Sequence, residues 1–134
     1  MALQRLRNPE DKAFGILVSN MFASTTAAHI LHLSITGDGS YARHKALNEY
    51  YDELPGLLDS IVEEYQGHHL KLLEIPTITP PTVKTVKEFV DHLNSLYIIV
   101  DQAQESTMCS SLKNTLDETK SLINTTKYKL HFLA

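Results

Sequence analysis

Apolar residues return every three or four positions through four long stretches of this chain, a spacing that only a helix turns into one face, and no stretch alternates as a strand would. In the first stretch Phe14, Val18, Met21, Thr25, Ala28 and His32 share a stripe, so a histidine lies on a face that is otherwise core. Asn8-Pro9-Glu10-Asp11 reads as its beginning: Asn caps, Pro suits the first turn, and two acids favour the positive end of the helix dipole. The helix runs to Gly37, where Gly37-Asp38-Gly39 breaks it. The second stretch spans Ser40 to Gly67, with His44, Leu47, Tyr51, Leu54, Leu58, Ile61 and Tyr65 in phase on both sides of Pro55. An internal proline deletes one backbone hydrogen bond and crowds the preceding turn, so the continuous stripe predicts one kinked helix rather than two.

From Gly67 to Pro81 the period collapses into His68-His69, a short apolar patch and Ile75-Pro76-Thr77-Ile78-Thr79-Pro80-Pro81, a long connection expected to cross the bundle. The third helix begins within Thr82 to Thr85, where Thr85 and Glu88 suit a capping box, and carries Val83, Val86, Val90, Leu93, Tyr97 and Val100. After a polar break at Ser106-Thr107 the fourth carries Leu112, Leu116, Thr119, Ile123, Thr126, Leu130 and Leu133. Short, long, short connections predict an all-α, up-down-down-up four-helix bundle with one long crossover between helices two and three, the arrangement of ferritin-like folds. Such a bundle consumes the 134 residues, which leaves a single domain over 1–134 and no second core.

Composition narrows the function classes. With 43% apolar and 21% charged residues the chain is neither disordered nor a disulfide scaffold. Sixteen acidic against twelve basic side chains give −4, no footprint for nucleic acid or an anionic membrane surface. The longest apolar run is Leu96 to Val100, and Met1 to Arg7 lacks a signal-peptide core, so no membrane partner is expected. The lone Cys109, half-buried or buried, points to a reducing, cytoplasmic setting.

Seven histidines prompt a search for ligand spacing. His68 and His69 are adjacent and expected to point apart at the surface, while His92 and His131 read as helix-surface or boundary residues. The Glu-x-x-His pair of a di-iron site inside one bundle is absent, as are a zincin motif, a phosphate loop and a nucleophile elbow. What remains is His32, His44, and the carboxylates Asp59 and Glu63 one turn apart. On an ideal helix Asn48, Asp59 and Glu63 lie about 40°, 60° and 100° round from His44, on one face. Fifteen residues separate His44 from Asp59, roughly 22 Å of helix, too far for one metal with bonds near 2 Å. The tight turn at Gly37 brings His32 level with His44, so one chain carries a histidine half-site and a carboxylate half-site. Two copies packed antiparallel about a two-fold axis would complete both.

These residues resemble a known family, Dps, the mini-ferritins. His32-Leu-Ser-Ile-Thr-Gly-Asp-Gly-Ser-Tyr-Ala-Arg-His44 looks like its histidine, Gly-containing turn and second histidine, and Asp59-Ser-Ile-Val-Glu63 like its Asp-x-x-x-Glu pair. Phe89 to Val100 is similar to its third helix, and the likeness covers about residues 9 to 132. The resemblance implies a ferroxidase: Fe(II) is oxidised by peroxide or oxygen at a dinuclear-type site between subunits, for iron storage or protection from peroxide. It implies His32, His44, Asp59 and Glu63 as iron ligands and catalytic residues, Glu63 foremost, with Asn48 and Asp52 as weaker supporting positions and zinc as the alternative metal. It also implies a two-fold dimer at least, extending in the family to a dodecameric cage.

This chain departs from the family at several points. Asn48 stands where the family has an aspartate, and Leu33 where it has tryptophan. No Lys-rich tail precedes the first helix, Arg5, Arg7 and Lys12 being a thin substitute, so DNA binding is not expected. The connection between helices two and three looks shorter than the family's, which would delete a small helix at the dimer interface. The rival expectation is a metal-free ferritin-like bundle serving as a structural or interaction protein in a phage-related assembly, in the host cytoplasm.

Overall fold

The computed structural model describes residues 8–133 and contains four helices: α1 (Pro9–Ser34), α2 (Ser40–His69), α3 (Val86–Ser106) and α4 (Ser110–Phe132). No strand occurs among the described residues. The expectations on Met1 to Arg7, including Arg5 and Arg7, lie outside them. α1 starts as its sequence dictates, with the Asn8 side-chain oxygen accepting from the N–H groups of Glu10 (3.0 Å) and Asp11 (3.4 Å). It ends at Ser34, short of Gly37, because β-branched Ile35 already takes an extended conformation. Gly37 (φ 95°) and Gly39 (φ 75°) then occupy the left-handed region that side-chain-bearing residues avoid, and the turn delivers the chain back into α2.

Pro55 lies inside α2 without ending it, since Leu54 and Leu58 on either side are buried and their packing outweighs the lost bond. At the start of α3 the Thr85 hydroxyl accepts from the Glu88 N–H (3.1 Å), half of the expected capping box. α1 packs on α2 and α3, and α4 packs on the same two, so the helices form a ring in the order α1, α2, α4, α3. Lys129 near the end of α4 reaches Glu49 near the start of α2 (2.7 Å), while Thr115 near the start of α4 reaches Glu64 near the end of α2, so these two run antiparallel. Residues 70–85 lie along α1: Ser19 donates to the Pro76 carbonyl, and a Cβ on Gly15 would fall 2.8 Å from the Glu74 carbonyl oxygen.

Phe14, Tyr50, Tyr65 and Phe89 are the largest fully buried side chains of one continuous core. In α3 the buried face is Phe89, Leu93, Leu96, Val100 and Ala103, which turns the expected Val90 and Tyr97 to its half-buried edge. α4 buries its whole expected stripe except Leu133. In α2 the stripe frays at its start, where His44 is exposed and Tyr51 half-buried. α1 includes a stretch apolar enough to cross a membrane by composition, and most of it is buried against the other helices, as in a core helix.

Two polar groups tie the helices together. Ser24 of α1 meets the Tyr50 hydroxyl of α2 (2.6 Å) and the Nε2 of His92 of α3 (2.8 Å). His92 is thus a half-buried boundary residue, as expected, that also joins this network; burial holds its pKa below the ordinary 6.5 and pushes that of Tyr50 up. At the opposite end Asp11 accepts from the Tyr65 hydroxyl and from Lys71 (2.7 Å), and His69 meets Glu10 (3.1 Å). Burial works to raise the pKa of Asp11, but these donors and the charge of Lys71 outweigh it and hold the carboxyl below its usual range. His68 and His69 do not point apart: their rings meet edge to face at 4.8 Å, because His69 turns inward to Tyr65 and Glu10.

Candidate metal centre

The last turn of α1 and the first turns of α2 meet across the Gly37 to Gly39 turn, which sets His32 beside His44 as the spacing predicts. Their rings stack with centroids 3.5 Å apart and planes 23° from parallel. The contact is reciprocal. His32 Nδ1 donates to the His44 backbone carbonyl (2.8 Å), and His44 Nδ1 donates to the His32 carbonyl (3.0 Å). A carbonyl only accepts, so both Nδ1 atoms carry hydrogen when the rings are neutral, and each Nε2 keeps its lone pair. That is how metal-binding imidazoles are commonly oriented from behind. His32 is 8% exposed, whereas His44 is open to solvent.

Two further side chains complete the cluster, and the sequence reading passed over the first. His29, one turn before His32, stacks on Tyr51 at 4.2 Å, and Tyr51 stands edge-on to His32 at 5.1 Å. A His-x-x-His spacing on α1 is the signal that could have found His29. Tyr51 reads from its period as a core residue, but its hydroxyl reaches outward and donates to Asn48 Oδ1 (2.6 Å). Asn48 Nδ2 in turn donates to Asp52 (2.9 Å). Asn48 and Asp52 therefore reach the histidines through Tyr51, and both side-chain groups of the amide are occupied.

Asp59 and Glu63 lie further along α2, exposed and without a hydrogen bond or ion pair to the described residues. At about 1.5 Å per residue they are more than 20 Å from His44 along the helix. Among the described residues no three histidine, cysteine, aspartate or glutamate side chains converge on a metal position. One chain thus holds a pre-oriented histidine pair and a separate carboxylate pair. His68, His92 and His131 contribute to neither.

Comparisons with known proteins bear on ancestry. The chain is 28% identical over 96 residues to the uncharacterized 14.6 kDa protein of the mobD-ri intergenic region of Enterobacteria phage T4, which spans 68% of this chain and 69% of that protein. No solved structure matches the chain. Residues 32–130, from the first histidine of the stacked pair to the last buried residue of α4, match DUF5856, a family of unknown function, and the chain belongs to that family.

Proposed function

We propose that this protein is a Dps-like ferroxidase whose iron site is completed by a second copy of itself. The observation that carries the reading is the reciprocal hydrogen bonding of His32 and His44, which turns each Nδ1–H to a carbonyl and leaves each Nε2 as the nitrogen for a metal, with no carboxylate completing the group. In a two-fold dimer, Asp59 and Glu63 of the second copy supply the missing hard, anionic ligands. The run of residues 70–85 along α1, with α2 and α4 antiparallel, suits a ferritin-like bundle with its crossover between helices two and three. Phe22 (54% exposed) and Leu33 (73% exposed), beside His29 on the open face of α1, offer apolar surface for the dimer contact.

Iron is the substrate. Imidazoles hold Fe(II) loosely enough to exchange, and the carboxylates favour the harder Fe(III). Two Fe(II) ions each give one electron to peroxide, which takes two protons and leaves as two waters; oxygen is the alternative oxidant. His32, His44, Asp59 and Glu63 position the ions and stabilise the charge that develops. Zinc would fill the same ligands without redox turnover. Under this reading the protein works in the cytoplasm, that of the host if it is phage-encoded, and storage of the oxidised iron requires assembly beyond the dimer.

One observation favours a second reading, a metal-free bundle acting as a structural or interaction protein in a phage-related setting. Asn48 is neutral and sealed between Tyr51 and Asp52, at the position where the resemblance expects a charged ligand. The phage T4 relative suits that setting. Peroxide-driven Fe(II) oxidation by the parent and by Asp59→Ala plus Glu63→Ala separates the two readings. The ferroxidase reading expects turnover in the parent alone, and equal rates in both chains reject it. Native mass in multiples of 15.1 kDa reports dimer or cage.

A further inference from the structure

The bundle end at which α1 stops holds an open pocket of about 570 Å3. Arg43 of α2, Lys84 just before α3, Lys87 of α3 and His131 of α4 all line it. No carboxylate does, although acidic side chains outnumber basic ones sixteen to twelve in the whole chain. Lys87 has Asp91 at 3.6 Å in solvent, but Arg43, Lys84 and His131 make no ion pair with the described residues.

Arg43 supplies the sharper observation. Its Nε is buried and has no hydrogen-bond partner among the described residues. A buried donor on a permanently charged group is normally satisfied, and the lack of a partner here leaves the guanidinium as an uncompensated charge beside the pocket. The carbonyl ends of α1 and α4 border the same pocket and attract cations, yet none of them accepts from Arg43 Nε. The pocket also contains the first residues of α3, Val86 and Lys87, whose backbone N–H groups precede any partner within the helix and suit an oxyanion.

We infer that this pocket binds a phosphate-type oxyanion, held by Arg43 with Lys84, Lys87 and the first amides of α3. A guanidinium and two ammonium groups on separate elements surround a phosphate better than they serve a carboxylate-free protein surface. The phosphate is either a free ion or the phosphate of a nucleotide. The pocket takes none of its lining from the histidine pair, although Arg43 directly precedes His44, and the inference stands whether or not the protein handles iron.

Inorganic phosphate titrated into the whole chain at constant ionic strength, followed by calorimetry or phosphorus NMR line broadening, tests the assignment. Saturable one-to-one binding is expected, weakened about tenfold by Arg43→Gln through loss of a charge-assisted contact. Lys84→Gln, at an exposed position, weakens it severalfold and serves as the test if the arginine variant does not fold. Lys113→Gln, at the far end of the bundle, leaves it unchanged. Adenosine monophosphate binding about tenfold more tightly than phosphate identifies a nucleotide, and equal or weaker binding identifies the free ion; each supports the site. Absence of saturable phosphate binding, or an equal loss in Lys113→Gln, overturns it.

Discussion

The two ends of the α1–α2 seam carry the same kinds of residue in opposite states. At the end where α1 begins, acids and donors are already matched within one chain: Asp11 with Lys71 and Tyr65, Glu10 with His69. At the hairpin end His32 and His44 face each other with no acid in reach; the unmatched acids, Asp59 and Glu63, stand exposed further along α2 with no cation. Paired charges of the first kind hold a fold together. Complementary groups kept apart do not stabilise the chain that carries them, and the proposed dimer is what would bring them together.

Substitutions in the matched and unmatched sets should therefore separate function from stability. The largest expected effect is loss of Fe(II) oxidation to background in Asp59→Ala plus Glu63→Ala, with urea unfolding shifted by no more than about 0.5 kcal/mol because both side chains are exposed. Asp11→Ala does the reverse. It strands the Tyr65 hydroxyl and the Lys71 ammonium, costing about 2–3 kcal/mol in urea unfolding while oxidation stays at the parent rate. If Asp11→Ala abolished oxidation in folded protein, the contrast between the two sets would be wrong.

How far the chain could be read in advance follows from how local each feature is. The four helices, the Asn8 and Thr85 caps and the pairing of His32 with His44 depend on neighbours or on one tight turn, and the residue pattern carries them. The role of His92 does not, because its partner Ser24 lies 68 residues away on another helix and is brought near only by packing. The place of His29 is hidden for a related reason: it lies off the core stripe, and its contact with Tyr51 depends on how α1 crosses α2. The carboxylates are legible as residues, but under the proposed reading their use lies outside any single chain.

Smaller effects sharpen the same contrast. Gly37→Ala, at φ 95° with nothing crowding it, costs about 1 kcal/mol by backbone strain, and it loosens the histidine pair so that Fe(II) binding weakens with stability. Asn48→Asp keeps an acceptor for Tyr51 and adds the missing charge, so Fe(II) oxidation rises severalfold, while its repulsion with Asp52, which now lacks a donor, costs about 0.5 kcal/mol in unfolding. Acid acts mainly on the matched groups. The folded pKa of His92 lies below 6.5, so the unfolded chain binds the proton more readily and stability falls as pH drops below 6.5. Asp11, also held below its ordinary 3.8, adds a second loss as pH falls through that value. Unfolding midpoints followed from pH 7 to pH 3 should show both, the first absent in His92→Gln.

Complementation tests the shared site most directly. A chain with His32→Ala and His44→Ala is mixed and reassembled with one carrying Asp59→Ala and Glu63→Ala, each inactive alone. In a two-fold dimer the mixed pair regains one complete site, so random reassembly restores roughly one quarter of the parent's sites and of its Fe(II) oxidation rate. No recovery from mixed dimers of confirmed mass, with an active parent, would place all ligands in one chain and contradict the account.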